Sequence, residues 1–292
     1  NVVTGNGGTV GMEIVENPRV KAVSFTGGVP AGRTIYQAAA QHLKPVELEL
    51  GGKNPQIVLP DANLELALEG LLFGAFGTAG QRCTATSRLI LHEAIYDRFM
   101  DMLVRRTEAL VVGDPLDPRT DVGPVVDEAA GRSIMSYIEI GKQEATLITG
   151  GERLTGGLYD GGFFIKPTIF ATEHGTRISK EEIFGPVLSV IKVDSYEEAI
   201  RVANDVEYGL SSSVYTRDVN LAFRAIEDLE TGITYINAPT IGAEVHLPFG
   251  GVKNTGNGGR EAGTSAIDEF TEIKTVFVDY SNRLQKAQIR EE

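Results

Sequence analysis

The chain has 292 residues, 42% hydrophobic and 23% charged, with a formal net charge of −13. That balance fits a globular protein of about two domains and argues against nucleic acid or anionic membrane as a default partner. The single cysteine excludes a disulfide within the chain, and no apolar run reaches the roughly 18 residues of a membrane span.

The chain opens at Asn1 in place of Met, which reads as a fragment boundary or a processed end. Residues 1–4 read as a strand end entering a glycine turn, Met12–Glu16 as a short helix and residues 20–25 as a strand. A helix is expected over 31–43, stopped by Lys44-Pro45. Strands follow at 46–50 and 56–59, and Asp61 is placed to cap a helix over 64–77. A strand at 88–92 precedes an amphipathic helix at 96–110, where Phe99, Met102, Leu103 and Leu110 keep a spacing near 3.6. Next come a helix at 128–143, a strand at 147–149 and a glycine-rich hairpin or surface loop at 151–162. The second half alternates again: strand 187–193, helix 196–204 capped by Ser195, strand 211–215, helix 219–226 and strand 232–237. This alternation predicts an α/β fold with largely parallel sheets. A lone β-rich run at 275–280 is followed by a polar tail at 283–292. A strand so far from its sheet is expected to pair with another chain.

Cys83 stands in Phe-Gly-Thr-Ala-Gly-Gln-Arg-Cys-Thr, residues 76–84, with Gly74, Gly77 and Gly80 crowding its approach. The residues alone leave it a small core hydrophobe or a reactive thiol. Upstream lies Glu-Leu-Glu-Leu-Gly-Gly-Lys-Asn-Pro, residues 47–55, in which Glu49 is either a general base or a strand-edge charge sharing a face with Glu47. Two glycine turns, 5–11 and 27–32, each follow a strand and open a helix, which suits phosphate binding as well as a plain connection. Neither matches the dinucleotide fingerprint or the phosphate-loop motif. The four histidines are scattered, and none is assigned to a metal.

Taken together, these segments resemble the aldehyde dehydrogenase superfamily. Residues 49–55 are similar to its glutamate motif, 76–84 to its cysteine motif and 181–187 (Glu-Glu-Ile-Phe-Gly-Pro-Val) to its nicotinamide-ribose segment. Asn204, 208–210, Asn237 and 248–253 also fit, and all run in family order. The resemblance implies the fold of that family: the end of a Rossmann-like domain at 1–49, a catalytic domain at 50–254, and a return segment at 255–292 with an oligomerisation strand. It implies NAD or NADP as cofactor and an aldehyde as substrate. Cys83 would be the nucleophile and Glu49 the base that activates water. Glu182 would hold the nicotinamide ribose, and Phe184 would pack near the nicotinamide. Leu50, Gly27, Gly28 and Gly32 would lie along the cofactor, with Gly7 and Gly8 toward its adenosine end. Phe249 would line the aldehyde tunnel, and Arg82 would meet a substrate carboxylate or pack against protein carboxylates. Residues 238–246 are similar to the substrate loop of members that take amino-acid-derived semialdehydes. Residues 255–261 are one longer than the commonest family form. The resemblance covers the C-terminal part of a family member, so the chain alone is expected to be inactive and the full form a homo-oligomer in the cytoplasm. The alternatives are a coenzyme A-acylating relative, against which Glu49 argues, and a non-catalytic assembly module.

Overall fold

The structure, a computed structural model, describes residues 1–284. Residues 7–11 form one π-helical turn that runs into α1 (Met12–Glu16). β1 (Val23–Thr26) leads into α2 (Val29–Ala40), and β2 (Val46–Glu49) returns to pair in parallel with β1. Between α2 and β2, Lys44 ties the unit to the end of α1 by donating to Val15 O and Asn17 O.

The larger part is a layered α/β body. In chain order it contains β3 (Asn54–Val58), α3 (Leu64–Phe76), β4 (Thr86–His92), α4 (Tyr96–Glu108), α5 (Glu128–Glu144) and β5 (Thr146–Thr149). The short pair β6 (Arg153–Leu154) and β7 (Phe164–Ile165) makes the expected glycine-rich segment a hairpin. Then come β8 (Thr168–Ala171), α6 (Arg177–Lys180), β9 (Val187–Val193), α7 (Tyr196–Asn204), β10 (Tyr208–Gly209), β11 (Ser211–Tyr215), α8 (Val219–Asp228) and β12 (Ile233–Ile236). β13 (Val252–Lys253) pairs with β10, and α9 (Ser265–Glu269) closes the described helices.

Seven strands make one sheet in the order β12-β11-β3-β4-β9-β8-β5, parallel throughout except for the antiparallel edge strand β5. Both faces are covered, so β4 and β9 carry apolar stretches, Leu89-Ile90-Leu91 and Val190-Ile191, in place of strict alternation. Successive side chains still part to opposite faces. Leu89 and Leu91 join the cluster under α3, α4 and α5, while Ile90 joins the one under α7 and α8.

Several sequence expectations are corrected. Asn63, not Asp61, caps α3, accepting from Leu66 N at 3.4 Å. The Asp61 carboxylate instead accepts from Thr216 Oγ1 and from the amides of Arg217 and Asp218, at 2.7–2.9 Å. β3 begins at Asn54 rather than after Pro55. Pro55 is the second residue of this central strand and sits at a register shift between Asn54 and Pro55, the irregular setting in which proline is found in sheets. Residues 1–4 form no strand, since no neighbour offers them a ladder. Residues 275–280 likewise form none, with Phe277 and Tyr280 at 96% and 90% exposure. Of the expected tail, 285–292 lie outside the described residues.

Candidate active site

The segment from Glu49 to Lys53 leaves the end of β2 and enters β3. Residues 77–85 link α3 to β4, and residues 181–186 lead into β9. The N-terminal ends of three adjacent strands therefore face the C-terminal ends of β1 and β2. A cleft of about 820 Å³ opens between the two sheets. Cys83, Arg82, Glu182, Phe184 and Phe249 line it, together with Gly27, Gly28 and Leu50.

Close backbone packing builds its floor. A Cβ on Gly52 would stand 2.4 Å from Cys83 O, and one on Gly51 would stand 2.3 Å from Glu182 Oε2. At Gly52 the obstacle is backbone, so only glycine permits that approach, whereas at Gly51 a side chain would displace the Glu182 carboxylate. Gly52 N donates to Glu182 Oε1 at 2.9 Å, which holds that carboxylate at the cleft wall. Asn54, 2% exposed, spends all its polar groups here. Its Nδ2 donates to Cys83 O at 2.7 Å and Ala85 O at 2.9 Å, and its Oδ1 accepts from Ser211 N at 3.1 Å. Thr255 Oγ1 donates to Gly51 O at 2.8 Å and Thr255 O accepts from Leu50 N at 2.6 Å. The return segment is thereby tied to β2. Arg88 is fully buried and donates to the carbonyls of Lys53, Val202 and Ala203. Phe184 stands at the cleft rim with φ +57°, 45% exposed, a strained position for a bulky residue.

The charges at the site are displaced from their ordinary behaviour. Glu49, at the end of β2, is 3% exposed, and its Oε2 has no hydrogen-bond partner among the described residues. Burial, then the nearby Glu261 and Glu47, push its carboxyl up to about 8. Burial and the charge of Glu49 push the Cys83 thiol up, while the amides of Thr84 and Cys83 pull it down. Lys53 is buried with no partner for Nζ among the described residues, and desolvation lowers it to about 7. Glu182 is raised by burial, against the Gly52 amide and Lys53.

Glu47 adds to this stack. It points the same way as Glu49, two residues on, and is held at about 7 by burial and by Glu269 and Glu261. The neighbouring guanidinium of Arg260 pulls the other way, while its Nη1 donates to the carbonyls of Gly251 and Gly259. A carboxyl protonated in the fold but ionised in the unfolded chain makes folding take up a proton. Stability from this group is present below its ordinary range and is lost as pH rises through about 7. Glu47→Gln is therefore expected to raise Tm at pH 8 by about 2–4 °C for each ~1 kcal/mol relieved, with the gain shrinking toward pH 5. Thermal scans at the two pH values check this; an unchanged or lower Tm at pH 8 contradicts it.

Not every expected position reaches the cleft. Gly7 and Gly8 lie on the π-helical turn outside it. Gly32 is buried in α2, where a Cβ would stand 2.6 Å from Leu50 Cδ2, so it serves helix–strand packing. Gly27 and Gly28 do reach it, and Gly28 opens α2 without a side-chain cap, leaving helix N-terminal amides free. Asn54, Thr255, Glu47 and the pair Glu261 and Glu269 were not singled out from sequence for this site. Glu47 carried a local signal in its i+2 relation to Glu49, and Asn54 in standing within the 49–55 segment. Among the described residues no cluster of histidine, cysteine or carboxylate groups is arranged to hold a metal ion.

Residues 1–276 match the aldehyde dehydrogenase family description. The chain belongs to that family. It is 46% identical over 281 residues to the alpha-ketoglutaric semialdehyde dehydrogenase of Bacillus subtilis (strain 168), covering 95% of this chain and 57% of that protein. It is 43% identical over 281 residues to a betaine aldehyde dehydrogenase of Mesorhizobium japonicum, covering 96% and 57%. The chain thus spans somewhat over half the length of these relatives. Among aldehyde dehydrogenases of known structure, an NAD-dependent one from Sinorhizobium meliloti superposes with a TM-score of 0.93 at 39% identity, over 98% of this chain and 56% of that one. A betaine aldehyde dehydrogenase from Staphylococcus aureus in complex with NAD+ gives 0.88 at 37%, over 91% and 53%.

Proposed function

We propose that these residues carry the catalytic half of an NAD(P)-dependent aldehyde dehydrogenase. The observation that carries the reading is one thiol on a cleft wall with a buried carboxylate whose charge acts on that thiol and whose Oε2 has no hydrogen-bond partner among the described residues. Cys83 adds to the aldehyde carbon as thiolate and gives a thiohemiacetal. Loss of hydride leaves a thioester on Cys83. Glu49 takes a proton from water, which attacks the thioester and releases the carboxylic acid. The free thiol returns for the next turn.

The residues present suit a dinucleotide. Glu182, fixed by the Gly52 amide, offers a carboxylate to the ribose hydroxyls. Gly28, Val29 and Ala31 offer backbone amides at the start of α2, while the Gly27 amide is held by Glu49 O at 3.0 Å. Phe184 offers a ring face to the nicotinamide, which when bound supplies the hydride acceptor. The relative solved with NAD+ supports that cofactor, and the choice between NAD and NADP stays with direct measurement of both. Reduced-cofactor absorbance with each nucleotide and a panel of aldehydes tests the function. Absence of any aldehyde-dependent reduction in a full-length protein bearing these residues overturns it.

We further propose a carboxylate-bearing semialdehyde as substrate. Arg82 is exposed on the cleft wall beside Cys83 and makes no ion pair among the described residues. A guanidinium–carboxylate contact is worth about 1.5–3 kcal/mol. Arg82→Leu is expected to raise KM for an ω-carboxylated aldehyde about 10–100-fold and to leave an uncharged aldehyde of equal length unchanged. Equal effects on both steady-state profiles would remove Arg82 from substrate recognition. Assembly is proposed through the exposed apolar run at 275–280, which lacks a ladder in this chain. No helix among the described residues is long and apolar enough to cross a membrane.

A further inference from the structure

Asn54 is two residues beyond Gly52 and 29 residues before Cys83, yet its amide group is committed to the nucleophile's backbone. Both of its N–H bonds are used, one on Cys83 O and one on Ala85 O. Its oxygen is anchored in turn by the amide of Ser211, at the start of the neighbouring strand β11. The side chain is therefore fixed from both ends and cannot turn. The Cys83 carbonyl it grips belongs to the same peptide group as the Thr84 amide. A trans peptide points its C=O and N–H in opposite directions. Holding the carbonyl against Asn54 thus turns the Thr84 N–H the other way, toward the cleft side of the loop. Among the described residues that amide has no carbonyl or side-chain acceptor of its own, and it is one of the groups that pull the Cys83 thiol down.

We infer that Asn54 is a positioning residue for the nucleophile: by gripping Cys83 O it aims the Thr84 N–H at the Cys83 sulfur and so favours the thiolate. The bond also polarises the peptide it grips, which strengthens the N–H at the other end. This matters because the remaining surroundings oppose ionisation. The charged groups facing the sulfur are Glu49 from the end of β2 and Glu182 from the lead-in to β9, both of which disfavour a second negative charge. Arg82 is the adjacent residue in the chain. The inference rests on Cys83 being the proposed nucleophile, but its consequence is a property of the thiol itself.

The test uses the 292-residue chain and iodoacetamide, with alkylation of its sole cysteine followed by intact mass across pH. Asn54→Leu keeps the volume and removes the donors; Asn54→Ser is the milder variant that decides if the first does not fold. Gln56→Leu is the control. It removes another fully buried amide from β3, one that donates to Ala67 O and does not touch the 83–85 turn. A hydrogen bond to a charged group is worth about 1.5–3 kcal/mol. Asn54→Leu is therefore expected to slow alkylation near pH 8 by roughly ten-fold or more, with the parent rate regained at high pH, where the thiol ionises fully. Asn54→Ser should shift the profile the same way by less, and Gln56→Leu should lower Tm without moving it. A profile unmoved in the folded Asn54 variants overturns the inference, as does an equal displacement in Gln56→Leu. Loss of aldehyde oxidation with the parent alkylation profile would instead count against the dehydrogenase reading alone.

Discussion

Cys83→Ala is expected to lower aldehyde oxidation in a full-length protein by at least about 10⁴-fold, with cofactor affinity held within a few-fold. The size follows from the chemistry. Without the thiol no covalent adduct forms, and an unaided aldehyde or its hydrate must give up hydride directly. The cleft, Glu182 and the glycine turn before α2 are untouched by the change, so binding should survive it. No second cysteine exists to take over, because the chain has one. Stopped-flow absorbance with nucleotide titration by fluorescence separates the two effects. Substantial residual turnover would mean that another group attacks the aldehyde.

Glu49→Gln is expected to separate the two halves of the reaction. Hydride transfer should persist as a burst of one reduced cofactor per site, and the steady rate should fall by about 10²–10⁴-fold. The pH dependence carries a further signature. The carboxyl is held at about 8, so its ionised, basic form grows in as pH rises through that value. Steady turnover of the parent should therefore climb through about pH 8, and this limb should vanish in the variant. The Glu49 charge also opposes ionisation of Cys83. Its removal should let the thiol react with iodoacetamide at lower pH than in the parent. A variant that keeps both the steady rate and the alkaline limb would place the base elsewhere.

The parts of the site legible from sequence are those carried by short segments next to strands. Cys83, Glu182 and Phe184 each stand in such a segment, and the structure brings all three to one cleft. What sequence did not reveal depends on distant pairing. Glu261 and Glu269 reach the Glu47–Glu49 edge across more than 200 residues, and nothing local in 255–269 announces it. Asn54 looked like part of a motif, while its partners Cys83 and Ser211 come from two other strands' entries. The fold shows the same division. Alternating elements predicted the parallel sheet, because its central strands are buried on both faces. Asp61 was misassigned as a cap because its true partners, 216–218, arrive from β11 in space rather than in sequence. The run at 275–280 has strand composition, but composition supplies no ladder.

The covalent step can be read in one experiment. The Glu49→Gln form of a full-length protein is mixed with an aldehyde and NAD+, quenched in acid after one burst, and weighed intact before peptide mapping. The account predicts a mass gain equal to the acyl group, located on Cys83 and released by hydroxylamine as a thioester should be. An unmodified Cys83 after a full burst of reduced cofactor, or an acyl group on any other residue, would contradict it.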